Sequence, residues 1–329
     1  MSRTRRVAAD ADGIAEAAEA LRAGRLVVFP TETVYGIGAR ADDEAAVRAI
    51  FEAKGRPATN PLIVHVDCTA RAATLTSRFD EAARALAEAF WPGPLTLVLT
   101  LRPGVVAPAV TAGGDSIAVR VPGHPIARAL LEAAGVPVAA PSANRSESVS
   151  PTTVEHVLKT LDGRVDVVID GGFCARGIES TIVDVRADPA VVLRPGAISI
   201  SELAALTDVT DVGHRVEVPG HVAAAPGGLA RHYAPAARVV VVPEDRLASE
   251  VAALRSAGRR VGVIARGADH PRSEPCVALE ADPVPYARDL YAALHALDDA
   301  GCDVIVIGEP PPGPAWSAVR DRLRRASSS

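Results

Sequence analysis

The spacing of apolar residues along the chain switches repeatedly between the helical and the strand period. Residues 14–24 carry apolar side chains at helical spacing, and the run RLVVF that follows predicts a strand ending at Pro30. A second amphipathic segment ends near Gly55. The runs LIVHV, TLVLTL, IAVRV and VPVAA predict further strands, with helices around 80–90 and 124–134 between them. This alternation predicts an α/β fold.

The same alternation continues past residue 150 and then stops. Ser150 followed by Pro151 resembles an N-cap with proline at the first helical position, so a helix of about ten residues should begin there. The runs VDVVID, STIVDV and AVVLRP return to strand spacing. The pattern therefore predicts a large α/β domain over residues 1–206.

Residues 207–236 separate this domain from a second one. They are rich in glycine and proline and show no sustained period, which is typical of a linker. From residue 237 onward, runs such as RVVVV, RVGVIA and DVIVIG alternate with helical segments. Residues 237–329 are therefore predicted to form a smaller parallel α/β domain.

Composition narrows the class of protein. Of 329 residues, 48% are hydrophobic, which is enough to bury two cores and argues against a disordered chain. The formal net charge of -5 argues against a protein that coats nucleic acid, because neutralising phosphates requires a basic surface. The four cysteines form no Cys-x-x-Cys pair, and no apolar run approaches the roughly 20 residues that span a bilayer. We expect a reduced, cytoplasmic protein without membrane contact or stable nucleic-acid binding.

Polar groups gather where the first predicted strand ends. The motif PTETVYGIG, from Pro30 to Gly38, places hydroxyls, a carboxylate and a phenol in one short loop. Thr31 or Thr33 can bind a polar ligand there, but the hydroxyls can equally satisfy the backbone of a tight turn. The loop by itself leaves both interpretations open.

Charged residues appear at the following strands. Lys54 and Arg56, in KGRPATNPLIVHV, suit an anion such as a triphosphate, although cations at a helix C-terminus also stabilise the helix dipole. His65, in an apolar strand, is more often a structural group than a ligand. Arg120, in IAVRVP, would be costly as an unpaired charge, so it must reach a carboxylate, a phosphate or the sheet rim. A salt bridge within the protein explains Arg120 equally well.

Hydroxyl and amide groups follow the later strands. PSANRS, from Pro141 to Ser146, comes directly after VPVAA, where open α/β sheets often bind ligands, although a capped turn explains it almost as well. GIESTIVDV and LRPG add Ser180, Thr181 and Arg194 at strand ends. An arginine before Pro-Gly is ordinarily part of a solvated turn.

The ordered set of motifs PTETVYG, KGRP, NPLIVHV, PGPLT, AVRVP, SAN, ESTIVD and LRPG resembles the YrdC-like threonylcarbamoyladenylate synthases. The resemblance is dense from residue 14 to about residue 206. PGGLARHYAP and the final RDRLRRAS are similar to the longer, two-domain form of that family. The resemblance implies a twisted YrdC-like α/β domain with an electropositive cavity, joined by a lid-like linker to a Rossmann-like C-terminal domain.

The same resemblance implies an enzyme that joins L-threonine, bicarbonate and ATP into L-threonylcarbamoyl-AMP, for the modification of tRNA. Mg2+ would accompany the ATP, and downstream tRNA threonylcarbamoyl transferase proteins would receive the product. Electrostatic clamps would be Lys54, Arg56 and Arg194, and L-threonine would contact Thr33, His65, Arg120, Ala140 and Ser180. The residues implied for the nucleotide are Arg56, Asn60, Ser116, Ser142, Asn144, Ser150, Arg194, Arg231, His232 and Tyr233, with Tyr35 as a neighbour.

Two departures from the family pattern bear on these expectations. Gly228, Leu229 and Ala230 occupy linker positions that are usually more polar, and Ser146-Glu147 stands where the family usually has Ser-Gly. Glu147 would bring an acid near the expected phosphates, where it either helps hold magnesium or faces solvent.

Two other functions compete with this one. Domains of this fold also serve carbamoyl transfer through carbamoyl-AMP, but in larger proteins with acylphosphatase, zinc-finger or transferase modules that are not visible in this sequence. Binding of folded RNA is the alternative outside enzymes. The negative charge and an aromatic content of 3% disfavour it, because RNA recognition relies on basic surfaces and stacking side chains.

Overall fold

A computed structural model describes residues 4–211, 233–267 and 275–328. In the first domain the strands are β1 (Arg5–Ala8), β2 (Val27–Phe29), β3 (Gly36–Arg40), β4 (Ile63–His65), β5 (Leu95–Thr100), β6 (Ser116–Arg120), β7 (Val138–Ala139), β8 (Val167–Asp170), β9 (Thr181–Asp184), β10 (Ala190–Arg194) and β11 (Val209–Asp211). The helices of this domain are α1 (Ala11–Arg22), α2 (Glu44–Lys54), α3 (Thr69–Thr74), α4 (Glu81–Phe90), α5 (Pro125–Ala134), α6 (Val154–Leu161) and α7 (Ile200–Ala204).

These strands form one mixed sheet in the order β1-β8-β2-β3-β7-β4-β6-β5-β9-β10-β11. Parallel pairs such as β4 with β6 and β5 with β9 alternate with antiparallel pairs such as β5 with β6. The α/β class expected from the sequence is confirmed. The sheet extends through β11 to Asp211, beyond the boundary predicted at residue 206, because β11 pairs in parallel with β10.

Two helices show how local sequence sets the element ends. Helix α2 ends where predicted, because Gly55 adopts a left-handed φ of 61° at its C-cap. Helix α6, in contrast, begins later than the sequence suggests. Its N-cap is Thr153, whose side chain accepts from the backbone N–H of His156. The expected cap, Ser150, instead donates its hydroxyl to Glu179 Oε1 at 2.6 Å.

The main core covers one face of the central strands. Val64, Val119 and Leu97 belong to that core, whereas their neighbours Ile63 and Ala118 belong to a small cluster on the other face. Alternate residues of a strand point to opposite faces, so His65 and Arg120 lie on the same face as this small cluster. The face opposite the main core is therefore the one that carries polar side chains.

The second domain is a parallel sheet of the order β12-β15-β13-β14, as the sequence predicts. Its strands are β12 (Arg238–Val242), β13 (Val261–Arg266), β14 (Cys276–Leu279) and β15 (Val304–Gly308). Its helices are α8 (Leu247–Ser256), α9 (Pro283–Asp299) and α10 (Ser317–Ser327). Within the described ranges, no helix has both the length and the apolar character needed to cross a membrane.

The two domains share a hydrophobic cluster. Val34, Val149 and Ile178 of the first domain pack with Leu290 and other apolar residues of α9 and α10. Gly177 approaches α9 so closely that a Cβ added there would lie 1.9 Å from the carbonyl oxygen of Arg288. Only glycine fits at this contact, where φ is also 67°. The first domain is thus packed directly against α9.

Candidate active site

A cavity with about 540 Å3 of empty space lies on the polar face of the first sheet. The residues that line it are Thr31, Thr33, Val34, Tyr35, Gly36, Arg56, Ile63, His65, Arg120, Ala140, Pro141, Ser142, Glu179, Ser180, Arg194 and Tyr233. The structure thus brings together residues from most of the motifs that the sequence analysis singled out, whereas PGPLT and RDRLRRAS contribute none to the lining.

His65 and Arg120 are neighbours because β4 and β6 pair in parallel with these two residues opposite each other. His65 is buried, and burial together with the charge of Arg120 lowers its pKa to about 3. The imidazole is therefore neutral at physiological pH. Its Nδ1 has no hydrogen-bond partner among the described residues. A buried polar atom of this kind at a cavity wall indicates a missing partner such as a ligand.

Arg120 is held on three sides, with 3% of its surface exposed. Its Nε donates to the carbonyl oxygen of Gly93 at 3.2 Å, and one terminal nitrogen donates to Thr33 Oγ1 at 2.9 Å. The other terminal nitrogen lies 2.7 Å from Glu32 Oε1. Burial alone would raise the pKa of Glu32, but the charge and hydrogen bond of Arg120 leave it lowered. Arg120 therefore forms an internal salt bridge and also lines the cavity.

The two threonines of PTETVYG play different parts. Thr31 Oγ1 donates to the carbonyl oxygen of Val34 at 2.6 Å and accepts from the backbone N–H of Thr33 and of Val34. This is the tight turn considered from the sequence. Thr33 instead presents its hydroxyl to Arg120 and Thr31 at the cavity wall.

Arg194 reaches the cavity because β10 is irregular. The register of β10 against β9 shifts between Val192 and Arg194, and such a bulge changes the direction of a side chain. Arg194 then donates to the carbonyl oxygen of Ser180 at 2.9 Å and to its hydroxyl at 3.1 Å. Gly196 permits this turn, since an added Cβ would lie 2.4 Å from the backbone nitrogen of Thr181. Burial lowers the pKa of Arg194.

Arg56 and Lys54, close in sequence, lie in different surroundings. Arg56 lines the cavity and donates to the carbonyl oxygens of Asn60 and Pro61 at 3.2 and 3.0 Å. Burial lowers its pKa to about 10. Lys54, only 2% exposed, donates its Nζ to the carbonyl oxygens of Ser142 and Asn144. Burial and the nearby charge of Arg56 lower the pKa of Lys54 well below its ordinary value. Lys54 therefore supports the backbone of the SAN loop and is not among the residues that line the cavity.

Several other expected nucleotide residues also lie outside the cavity lining. Ser116 is at the start of β6, at the opposite end from Arg120. The Asn144 amide donates to backbone carbonyls of its own loop, and Asn60 has a buried Oδ1 without a hydrogen-bond partner in the described ranges. Ser150 bonds to Glu179. Arg231, His232 and the departures at 228–230 lie outside the described residues, and Glu147 is exposed.

Glu179 is a cavity residue that the sequence analysis did not single out. Its carboxylate accepts from Ser150 Oγ at 2.6 Å, from the Tyr291 hydroxyl at 3.0 Å and from Arg322 Nε at 2.7 Å. Burial would raise its pKa, but the charges of Arg322 and Arg194 and these hydrogen bonds lower it to about 2. Its place in the motif GIESTIVDV, just before a predicted strand, was the available signal.

Metal ligation by the protein alone has little support in this cavity. Among the described residues there is no group of three or more His, Cys, Asp or Glu side chains positioned to hold an ion. Glu179, which lines the cavity, already accepts hydrogen bonds at both carboxylate oxygens.

Comparisons with known proteins show which family this chain resembles. Residues 19–196 match a family model described as telomere recombination, and residues 198–328 match one described as threonylcarbamoyl-AMP synthase, C-terminal domain. The chain is 42% identical to the threonylcarbamoyl-AMP synthase of Pyrococcus abyssi, over 94% of this chain and 93% of that protein. It is 39% identical to the enzyme of the same name from Bacillus subtilis, over 95% and 92%. The crystal structure of P. abyssi Sua5 complexed with L-threonine superimposes with a TM-score of 0.90, at 40% identity, covering 99% of this chain and 98% of that one.

Proposed function

The chain belongs to the threonylcarbamoyl-AMP synthase family, and we propose that it joins L-threonine, bicarbonate and ATP into L-threonylcarbamoyl-AMP with release of pyrophosphate. This product is an activated carbamate for the modification of tRNA. The observation that carries the proposal is the charge of the cavity. Three buried arginines line it, namely Arg56, Arg120 and Arg194. Glu32 neutralises Arg120, and Arg322 neutralises Glu179. The excess positive charge of the cavity therefore comes from Arg56 and Arg194. Such a cavity favours anionic substrates.

L-Threonine is assigned to the part of the cavity around Arg120. Its guanidinium is fixed by Glu32 and Thr33 and suits a carboxylate. Neutral His65, with its unpartnered Nδ1, and the nearby Ser180 hydroxyl suit the polar groups of the amino acid. Ala140 completes this subsite. The P. abyssi protein whose structure has been solved with L-threonine shares the fold over 99% of this chain, which supports this substrate.

The nucleotide is assigned to the part that holds Arg56, Ser142, Arg194 and Tyr233. Arg56 and Arg194 carry the positive charge there, and Tyr233 offers an aromatic wall. Asn60, Ser116, Asn144, Ser150, Arg231 and His232 remain predictions for the nucleotide. For Lys54, we propose support of the SAN loop in place of direct contact with phosphates.

The proposed reaction needs no covalent enzyme intermediate. The neutral amine of L-threonine attacks the carbon of bicarbonate with loss of water, or that of carbon dioxide with loss of a proton, and gives an N-carboxylate. An oxygen of this N-carboxylate then attacks the α-phosphorus of ATP. The bond to the β-phosphate breaks, and pyrophosphate leaves with the electron pair. Arg56 and Arg194 stabilise the developing charge, and Arg120 orients the amino acid. The buried thiol of Cys174 stays protonated, since burial raises its pKa to about 12, so it is a poor nucleophile.

Magnesium would enter with the ATP. Because Glu179 is fully hydrogen-bonded and the described residues offer no carboxylate cluster, we propose that Mg2+ is held by the phosphates and water. Its role would be charge neutralisation. A downstream tRNA threonylcarbamoyl transferase, in the cytoplasm, would then consume the adenylate.

The test uses radiolabelled bicarbonate with ATP and each amino acid in turn. Labelled adenylate and pyrophosphate should appear together with L-threonine, and L-serine should be a poorer substrate by roughly 10- to 200-fold, because it lacks one methyl group. Equal turnover with carbamoyl phosphate and no amino acid would assign the protein to carbamoyl transfer instead. Tight binding of tRNA without pyrophosphate release would favour the RNA-binding alternative.

A further inference from the structure

The C-terminal domain reaches the wall of the cavity through one arginine. Arg322, on α10, is 1% exposed, and its Nε lies 2.7 Å from Glu179 Oε2. Glu179 lines the cavity, whereas Arg322 stands behind it. Tyr291, on α9, bonds to the same carboxylate at 3.0 Å. Two helices of the second domain therefore fix a carboxylate of the first domain at the site.

The same arginine also holds the aromatic wall. The guanidinium carbon of Arg322 lies 5.2 Å from the ring centroid of Tyr233, within the distance of a cation–π contact. The ring of Tyr291 stacks on Tyr233 with centroids 5.7 Å apart. Tyr233 has a φ of 63°, a backbone conformation that residues other than glycine rarely adopt. Contacts from the C-terminal domain therefore hold this residue in an uncommon conformation.

A second carboxylate, that of Asp321, also binds the guanidinium of Arg322. Its Nη1 lies 2.7 Å from Asp321 Oδ2, and Asp321 is 2% exposed. The carboxylate of Asp321 also pairs with Arg324 and Arg325. Because Nε is bound to Glu179 and Nη1 to Asp321, the protein sets the direction of the guanidinium.

We propose that Arg322 is a positioning residue for the nucleotide, so that the C-terminal domain forms part of the active-site wall. This inference rests on the proposed function. Arg322 neutralises Glu179, which would otherwise repel phosphates and pair with the nearby Arg194, whose charge already acts on Glu179. It also keeps Tyr233 against the cavity. Through these two contacts, docking of the second domain completes a nucleotide site that consists mostly of first-domain residues.

The test compares full-length variants for binding of a non-hydrolysable ATP analogue and of L-threonine by calorimetry. Arg322→Met should weaken the analogue by about 5- to 30-fold, the size expected for a residue that acts on a ligand through its neighbours, and L-threonine by a smaller factor. Arg324→Met is the matched control, because it lies on the same helix and pairs with the same Asp321 but does not contact Glu179. It should stay within about twofold of the parent protein.

A rescue variant separates positioning from simple destabilisation. Glu179→Gln combined with Arg322→Met leaves no unpaired carboxylate, so it should bind the analogue more tightly than Arg322→Met alone. Equal affinities for Arg322→Met and Arg324→Met, or no recovery in the double variant, would overturn the role of Arg322. If Arg322→Met does not fold, Arg322→Lys should show a smaller weakening, and unchanged affinity would overturn the role.

A separate measurement keeps the two proposals apart. Adenylate synthesis by the parent protein tests the proposed function, whereas affinity for the analogue tests Arg322. A parent protein that binds the analogue but forms no threonylcarbamoyl adenylate would refute the function and leave the affinity comparison decisive for Arg322. The melting temperature of every variant is measured alongside adenylate synthesis and analogue affinity. A lower melting temperature of Arg322→Met with unchanged affinity for the analogue would show that Arg322 has a structural role only.

Discussion

Removing the charge of Arg120 should separate the binding of L-threonine from that of ATP. The guanidinium bonds to Gly93, Thr33 and Glu32, and it faces the cavity. Truncating Arg120 alone would leave the Glu32 carboxylate buried without its partner, which typically costs about 3–5 kcal/mol of stability. The informative variant is therefore Arg120→Met with Glu32→Gln, which removes both charges and keeps similar volumes.

The expected effect follows from the kind of contact that is lost. A hydrogen bond to a charged group contributes about 1.5–3 kcal/mol, so the affinity for L-threonine should fall by roughly 10- to 150-fold. An ATP analogue should lose no more than about twofold, the usual scatter between sites that share no partner. Among the residues that the structure describes, Arg120 shares no hydrogen-bond partner with Arg56 or Arg194, so their subsite should survive.

Calorimetry with both ligands is the assay, and Arg71→Met is the control. Arg71 forms an ion pair with Asp67 at 2.6 Å outside the cavity lining, so it matches the change in chemistry. Equal weakening of both ligands, with melting close to that of the control, would refute separate subsites. Unchanged affinity for L-threonine would show that its carboxylate does not bind at Arg120.

Three further predictions follow from the same contacts. Arg56→Ala should weaken the ATP analogue by about one to two decades and L-threonine much less; calorimetry that shows the reverse order would contradict the assignment. Gly177→Ala should lower the melting temperature, because the added Cβ meets the carbonyl oxygen of Arg288 at 1.9 Å, and an unchanged melting curve would count against tight docking. Burial lowers the pKa of His156 to about 3 and that of His295 to about 4, so below about pH 6.5 the unfolded chain binds protons that the folded protein does not. The free energy of unfolding should therefore be highest above about pH 6.5 and fall as the pH drops toward 4. In His295→Phe this fall should be less steep. If the melting temperature of His295→Phe depended on pH in the same way as that of the parent protein, this role of His295 would be contradicted.

The family resemblance named the residues at strand ends that line the cavity, whereas each motif by itself left other interpretations open. His65 and Arg120 both close apolar strands, and parallel pairing places them side by side. Thr33 and Ser180 lie at the turns next to these strands and also face the cavity. Periodicity indicated the strands and the turns that follow them, but local sequence favoured a structural role for His65 and left Arg120 open between a salt bridge and a ligand.

Other residues could not be assigned from local sequence because their partners are distant. Ser150 has the composition of an N-cap, yet its hydroxyl bonds to Glu179, and Thr153 caps the helix instead. Lys54 at a helix end suggested an anion site, but its ammonium is occupied by two carbonyl oxygens of the SAN loop. Arg194 depends on a register shift that strand alternation does not reveal.

The contact between the domains shows most clearly why the full chain is needed. Glu179 and Arg322 are separated by 143 positions, and the segment RDRLRRAS by itself is typical of a solvated basic helix. In the structure Arg322 is among the most deeply buried side chains. A buried ion pair that loses one partner is strongly destabilised, so neither Glu179 nor Arg322 is favourable in its present place unless the domains are docked. The cavity wall at Glu179 and Tyr233 and the packing of the second domain are therefore coupled, and a substitution that loosens one should alter the other.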